Sequence, residues 1–165
     1  MQPVSASPES PWTVSTGEQA PGVVDALLRS LPEWFGIESS IVGYVESANE
    51  LPTYLARPAG DDAHAPVGVL LASRHFPGAA EIHLMAVDRS LHRSGVGRAL
   101  VSALERDLIA DRVSFLQVKT LGPSHPDLGY AQTRLFYEAM GFAPIEEIHG
   151  LWPGNPCLLM IKVLS

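Results

Sequence analysis

The chain has 165 residues, 46% of them hydrophobic, and carries 18 Asp and Glu against 11 Lys and Arg for a formal net charge of −7. That composition fits one soluble globular domain with a single core, and the acidic balance excludes nucleic acid as a general partner, because a phosphate backbone wants a basic face. No apolar run approaches the ~20 residues of a membrane span, and the lone cysteine, Cys157, excludes an internal disulfide and suits a reducing cytoplasm.

The opening MQPVSASPESP lacks the basic and apolar regions of a signal peptide; residues 1–11 are expected to form a loose tail before a single domain over 12–165. Trp12 to Ser15 is a short candidate strand. From Glu18 to Leu31 the spacing of Val23, Val24, Leu27, Leu28 and Leu31 predicts a helix that Pro32 ends. LPEWFG, with Trp34 and Phe35, connects it to a second helix over Glu38 to Ser47. Pro52–Arg57 and Pro66–Ser73 read as strands of an antiparallel hairpin across the polar turn PAGDDAHA. The apolar run Ile82 to Val87, opened by Glu81, is the next strand. Behind Gly95, the repeat Val96, Leu100, Ala103/Leu104 and Leu108 covers one helix face, and Val113–Leu121 is apolar enough for a central strand. Strand, helix, strand predicts a parallel βαβ unit. A helix from Tyr130 to Met140, closed by Gly141, precedes two strands, Phe142–His149 and Cys157–Val163, joined by a loop GLWPGNP. The expected fold is α/β, a mixed sheet of about seven strands and about four helices, antiparallel at first and parallel at the centre.

The most informative stretch is EIHLMAVDRSLHRSGVGRAL, residues 81–100. A strand, a glycine turn and a helix in that order line up free backbone N–H groups at a helix N-terminus, where the dipole suits a phosphate. A side chain would hold the anion away from the backbone, which favours Gly95 and Gly97. Leu100 occupies the third glycine position of a dinucleotide fingerprint, and Arg98-Ala99 replaces the Lys-Ser/Thr of a Walker loop, so both readings fail. A tight strand-to-helix turn without a ligand is the plain alternative.

What remains resembles motif A of the GCN5-related N-acetyltransferases (GNAT), V-x-x-x-x-Q/R-x-x-G-x-G/A, carried by Val87, His92, Gly95 and Gly97. His92 departs from the usual Gln or Arg. A second likeness is RLFYEAMGF, in which Tyr137 takes the place of a tyrosine preceding a Gly-Phe pair, while Tyr130 replaces the common Asn seven residues earlier. The resemblance covers residues 80–163. It implies a GNAT-like fold and transfer of an acetyl group from acetyl-CoA to a primary amine in a ternary complex, without a metal.

Under that resemblance, Met85, Ala86 and Val87 pair with the pantetheine, and His92, Arg93, Ser94, Gly95, Val96, Gly97 and Arg98 hold the pyrophosphate. Arg89 can meet the phosphates, and Tyr130 joins the coenzyme-binding set. Tyr137 is the expected general acid for the departing thiolate. Glu81 is the leading base, with His83 two residues on as substitute or orienter and a water chain as the further alternative. Trp34, Phe35 and Trp152 can roof an amine pocket, or else anchor the first helix to the core. The histidines at 64, 75, 83, 92, 125 and 149 show no metal-ligand spacing. The small acidic chain favours a small-molecule acceptor. A protein N-terminal or lysine acetyltransferase and a CoA-binding regulatory module without catalysis are the alternatives. A homodimer is compatible with everything above.

Overall fold

A computed structural model describes residues 9–165. Most of the tail expected at 1–11 therefore lies outside the described residues. Seven strands form one sheet: β1 (Trp12–Thr16), β2 (Thr53–Pro58), β3 (Gly68–Phe76), β4 (Ala79–Val87), β5 (Phe115–Leu121), β6 (Ala143–Trp152) and β7 (Asn155–Val163), in spatial order β1-β2-β3-β4-β5-β7-β6. Among the described residues, only β4 and β5 run parallel; every other neighbouring pair is antiparallel. The helices are α1 (Pro21–Arg29), α2 (Glu38–Ser47), α3 (Val96–Ala110) and α4 (Leu128–Ala139). This is the fold class expected from sequence.

Several boundaries shift by a few residues, and two of the shifts have clear reasons. The first helix starts at Pro21 rather than Glu18, because proline has no N–H and fits only the first helical turn. The segment GLWPGNP is mostly strand: β6 runs to Trp152 and β7 restarts at Asn155, leaving a two-residue Pro153–Gly154 connection with Gly154 at φ 73°.

The sheet separates two cores. On one face, Leu70, Ile82, Leu116, Val118 and Met160 pack with Val96, Leu100 and Leu104 of α3 and Tyr137 of α4. On the other, Leu55, Val69, Leu71, Leu84 and Ala86 pack with Val24, Leu27 and Leu28 of α1 and Ile41 of α2.

β4 belongs to both cores through a change of phase. Ala80 and Ile82 face α3, yet so do Met85 and Val87, while Leu84 and Ala86 face α1 and α2. Strict alternation would keep Ile82, Leu84 and Ala86 together. The register explains it: Leu71 pairs with Leu84 but Ala72 pairs with Ile82, so His83 is an extra residue in β4. A second shift, with Arg74 opposite Ala80 and Phe76 opposite Ala79, makes His75 the extra residue of β3. Parallel pairing of β4 with β5 ends at Ile82 opposite Val118, and beyond that point the two strands share no pairs.

Candidate active site

Three groups of residues flank the region where β4 and β5 part, on both faces of the sheet. The first is the turn into α3. Gly95 caps that helix at φ 92°, a left-handed conformation that L side chains rarely adopt, and Arg93 is also left-handed at φ 65°. Among the described residues, the N–H groups of Arg93, Gly95, Val96, Gly97 and Arg98 have no acceptor; the first helical bond is from Ala99 to the Gly95 carbonyl. Five unpaired donors at and just before a helix N-terminus can serve as an anion cradle. Gly97 is glycine for another reason, because an added Cβ would stand 3.2 Å from Cζ of Phe136 on α4. The cradle is anchored by Trp12, whose Nε1–H donates to the Ser94 carbonyl at 2.8 Å. His92 turns back and donates through Nε2 to the Val87 carbonyl at 2.9 Å. Arg93 reaches the Gln132 side-chain oxygen at 3.0 Å, and Arg98 projects outward, exposed.

The second group is on α4. Tyr137 is buried, 4% exposed, with its ring edge-on to Phe136 and Phe142 at 5.2 and 5.4 Å between centroids. Burial pushes its phenol well above the ordinary tyrosine value, so it stays protonated at neutral pH. Among the described residues its hydroxyl has no hydrogen-bond partner. Tyr130 is spoken for: its hydroxyl donates to the Trp34 carbonyl at 2.8 Å, and burial raises it to about 12. Arg134 donates to the Leu121 carbonyl at 2.8 Å, fixing the end of β5.

The third group lies on the α2 face. Glu81, 6% exposed, accepts from His75 Nε2 at 2.9 Å and Gln117 Nε2 at 3.2 Å, and pairs with Lys119 Nζ at 3.2 Å. Burial would raise its carboxyl; the His75 bond, the Lys119 charge and the Gln117 bond together outweigh that and hold it below the ordinary value. A carboxylate held by three donors is a fixed charge and a poor proton acceptor. His83 lies on the same face, edge-on to Tyr44 at 5.5 Å, and its burial, stronger than the opposing pull of Glu81, lowers its basicity so that it is neutral at pH 7. His83 and Tyr44 line an open cleft of about 300 Å³ with Ser40, Gly43 and Ser47. Tyr44 is shifted upward, by burial first and then by Glu81.

Ser40, Gly43, Tyr44 and Ser47 share one face of α2, beside the side that buries Ile41. They were missed in the sequence, where only the apolar side of that helix drew notice. Phe35 packs against Tyr44 and the α1 core, and Trp152 does not line the cleft. Trp34 edges onto His92 at 5.3 Å, and the neighbouring Glu33 pairs with Arg89, so the α1–α2 connection straps over both the anion cradle and the start of α4. Among the described residues no group of three or more His, Cys, Asp or Glu is placed to hold a metal, and no helix is long and apolar enough to cross a membrane.

A sequence profile for the acetyltransferase (GNAT) domain matches residues 38–144. The chain therefore belongs to the GNAT acetyltransferase family. No curated protein matches the sequence. Solved structures with the same fold include a GNAT-family protein from Desulfovibrio desulfuricans, 18% identical with a TM-score of 0.78 over 93% of this chain and 99% of that one. The ribosomal-protein-S18-alanine N-acetyltransferase of Escherichia coli is 18% identical, TM-score 0.71, covering 93% and 94%. A GNAT acetyltransferase from Elizabethkingia anophelis, with acetyl-CoA bound, is 16% identical, TM-score 0.68, covering 94% and 100%.

The Glu81 network carries a pH signature. With the folded carboxyl below its unfolded value, the network's contribution is complete above the ordinary carboxyl range and is lost as pH falls through the folded value. Glu81→Gln is expected to lower stability by about 1–3 kcal/mol at pH 7, with the gap to the parent closing on acidification toward pH 3. Urea titrations of both proteins across that range check it; a gap constant with pH contradicts the assignment.

Proposed function

We propose that this protein transfers an acetyl group from acetyl-CoA to the primary amine of a small molecule, both substrates being bound at once. The observation that carries this reading is the parting of β4 from β5 beside a cradle of five free N–H groups. The cradle suits a pyrophosphate, and the β5-facing edge of Met85 to Val87, which pairs with β3 but no longer with β5, suits the amides of a pantetheine arm. Acetyl-CoA bound on the same fold in the Elizabethkingia protein supports it. His92, Arg93, Ser94 and Arg98 surround the cradle, while Tyr130 contributes by holding Trp34 over it.

The acceptor enters from the α2 side. There Tyr44 offers a ring face, Glu81 supplies negative charge behind it, and Ser40 and Ser47 add hydroxyls, a combination that attracts an amine. An ammonium has no lone pair, so a base must take its proton. His83 suits that task better than Glu81, because its imidazole is neutral at pH 7 and faces the cleft. Glu81 then offsets the charge that His83 gains. Tyr137, on the opposite face of the sheet and protonated, delivers a proton to the departing sulfur.

Three outcomes follow. Gly95→Asp abolishes CoA binding by calorimetry, while Gly95→Asn, which tolerates the left-handed backbone without adding charge, retains measurable binding; equal affinity in the two variants defeats the cradle. Tyr137→Phe costs about 10²–10⁴ in kcat, measured as thiol release with a panel of primary amines. The parent's kcat/KM against pH has an acidic limb with its midpoint below the ordinary histidine value. That limb disappears in His83→Gln; its persistence returns the base to Glu81 or to water.

A further inference from the structure

Thr120 of β5 is 5% exposed, and its Oγ1 is buried without a hydrogen-bond partner among the described residues. A buried hydroxyl left unpaired costs about 1–3 kcal/mol, whereas a valine of the same shape would cost nothing. Its place in the sheet says what the hydroxyl can do. Gln117 and Lys119 reach Glu81 on the α2 face, so by strand alternation Thr120 points to the opposite face, with Leu116 and Val118. Its partner across β7, Leu158, lies in that same core with Tyr137 and Phe142. Thr120 is also two residues beyond Val118, the last residue of β5 that pairs with β4. It therefore stands at the opening between the strands, on the side from which Tyr137 approaches. The Thr120 hydroxyl on β5 and the Tyr137 hydroxyl on α4, neither with a protein hydrogen-bond partner among the described residues, thus lie on the same face of the sheet.

We infer that the Thr120 hydroxyl donates a hydrogen bond to the coenzyme sulfur as the thioester breaks, a specific role that rests on the acetyl-transfer reading above. The amine nitrogen attacks the carbonyl carbon and loses its proton to the base on the α2 face. The C–S bond then breaks, its electron pair leaves on sulfur, and Tyr137 supplies the proton that makes the free thiol. Thr120 transfers nothing; its hydrogen bond stabilises the sulfur while it carries charge. Donation to an ionised group is stronger than to a neutral one, so the bond tightens as the bond to carbon fails.

CoA itself is the probe, since it presents that sulfur without needing an acceptor. The bound thiol is titrated by the ultraviolet absorbance of its thiolate, with affinity measured by calorimetry. Thr120→Val is expected to bind CoA within about twofold of the parent, to melt no lower, and to raise the bound thiol's pKa by about one unit, the scale of one hydrogen bond to a charged group. Thr120→Ala should give the same shift and Thr120→Ser should restore the parent value. A packing role would reverse the order, with serine worse than valine in stability and neither moving the titration. An unmoved thiol pKa in both Val and Ala variants, with CoA bound, overturns the inference alone. Failure of the parent to bind CoA overturns it together with the acetyl-transfer reading.

Discussion

The site depends on one extra residue in β4. A strand offers its side chains alternately to two faces, and an insertion at His83 shifts that alternation by one. Before the bulge, Ile82 packs toward α3; after it, Leu84 and Ala86 pack toward α1. The bulge also puts two consecutive residues, His83 and Leu84, on the α2 side, so a polar ring reaches the cleft without any apolar residue leaving the core. Bulges increase local twist, and here the parallel pairing with β5 stops one residue earlier, at Ile82. Separation of the strands and delivery of the histidine are thus two results of a single irregularity.

The second bulge, at His75 on β3, complements the first. It aims an imidazole at Glu81, while Gln117 and Lys119 approach from β5. Desolvating a carboxylate is costly, and only several donors together can offset it. The result is a charge fixed at the hinge of the two strands. Its influence is felt by its neighbours: it opposes the burial of His83 without overcoming it, and adds to the burial of Tyr44. A carboxylate committed in this way shapes the field of the cleft, and the group left with basicity to spend is the histidine.

The order of elements was legible because it rests on local signals. Apolar period, proline at Pro32 and glycine at Gly141 are properties of neighbouring residues, and the α3 turn announced itself through Gly95. The bulges were not legible, since a bulge is a property of pairing and EIHLMAV reads as an ordinary strand when taken alone. The two glycines of the turn looked equivalent in sequence, yet they answer different demands: Gly95 a left-handed backbone, Gly97 the approach of the Phe136 ring. The cleft-facing side of α2 was hidden for a third reason. Ser40, Gly43 and Ser47 are what any solvated helix face carries, and only the position of α2 beside His83 gives them a role.

The two ends of the site are mechanically joined. Phe136 rests against Gly97 and is edge-on to Tyr137, which is edge-on to Phe142, so the anion cradle and the phenol share one packed aromatic row. Close-packed interiors do not deform continuously, and the distance from cradle to phenol is accordingly fixed before any ligand arrives. The strap of Glu33 and Trp34 has a different character. Besides the packing of Trp34 and Phe35 against the α1 and α2 core, it makes an exposed ion pair to Arg89, a partly buried hydrogen bond from Tyr130 and an edge contact with His92. The exposed ion pair is worth about 1 kcal/mol or less. The aromatic row therefore ties the α3 turn rigidly to α4, whereas the strap, which leads directly into α2 and its cleft, adds polar and edge contacts to its own apolar packing.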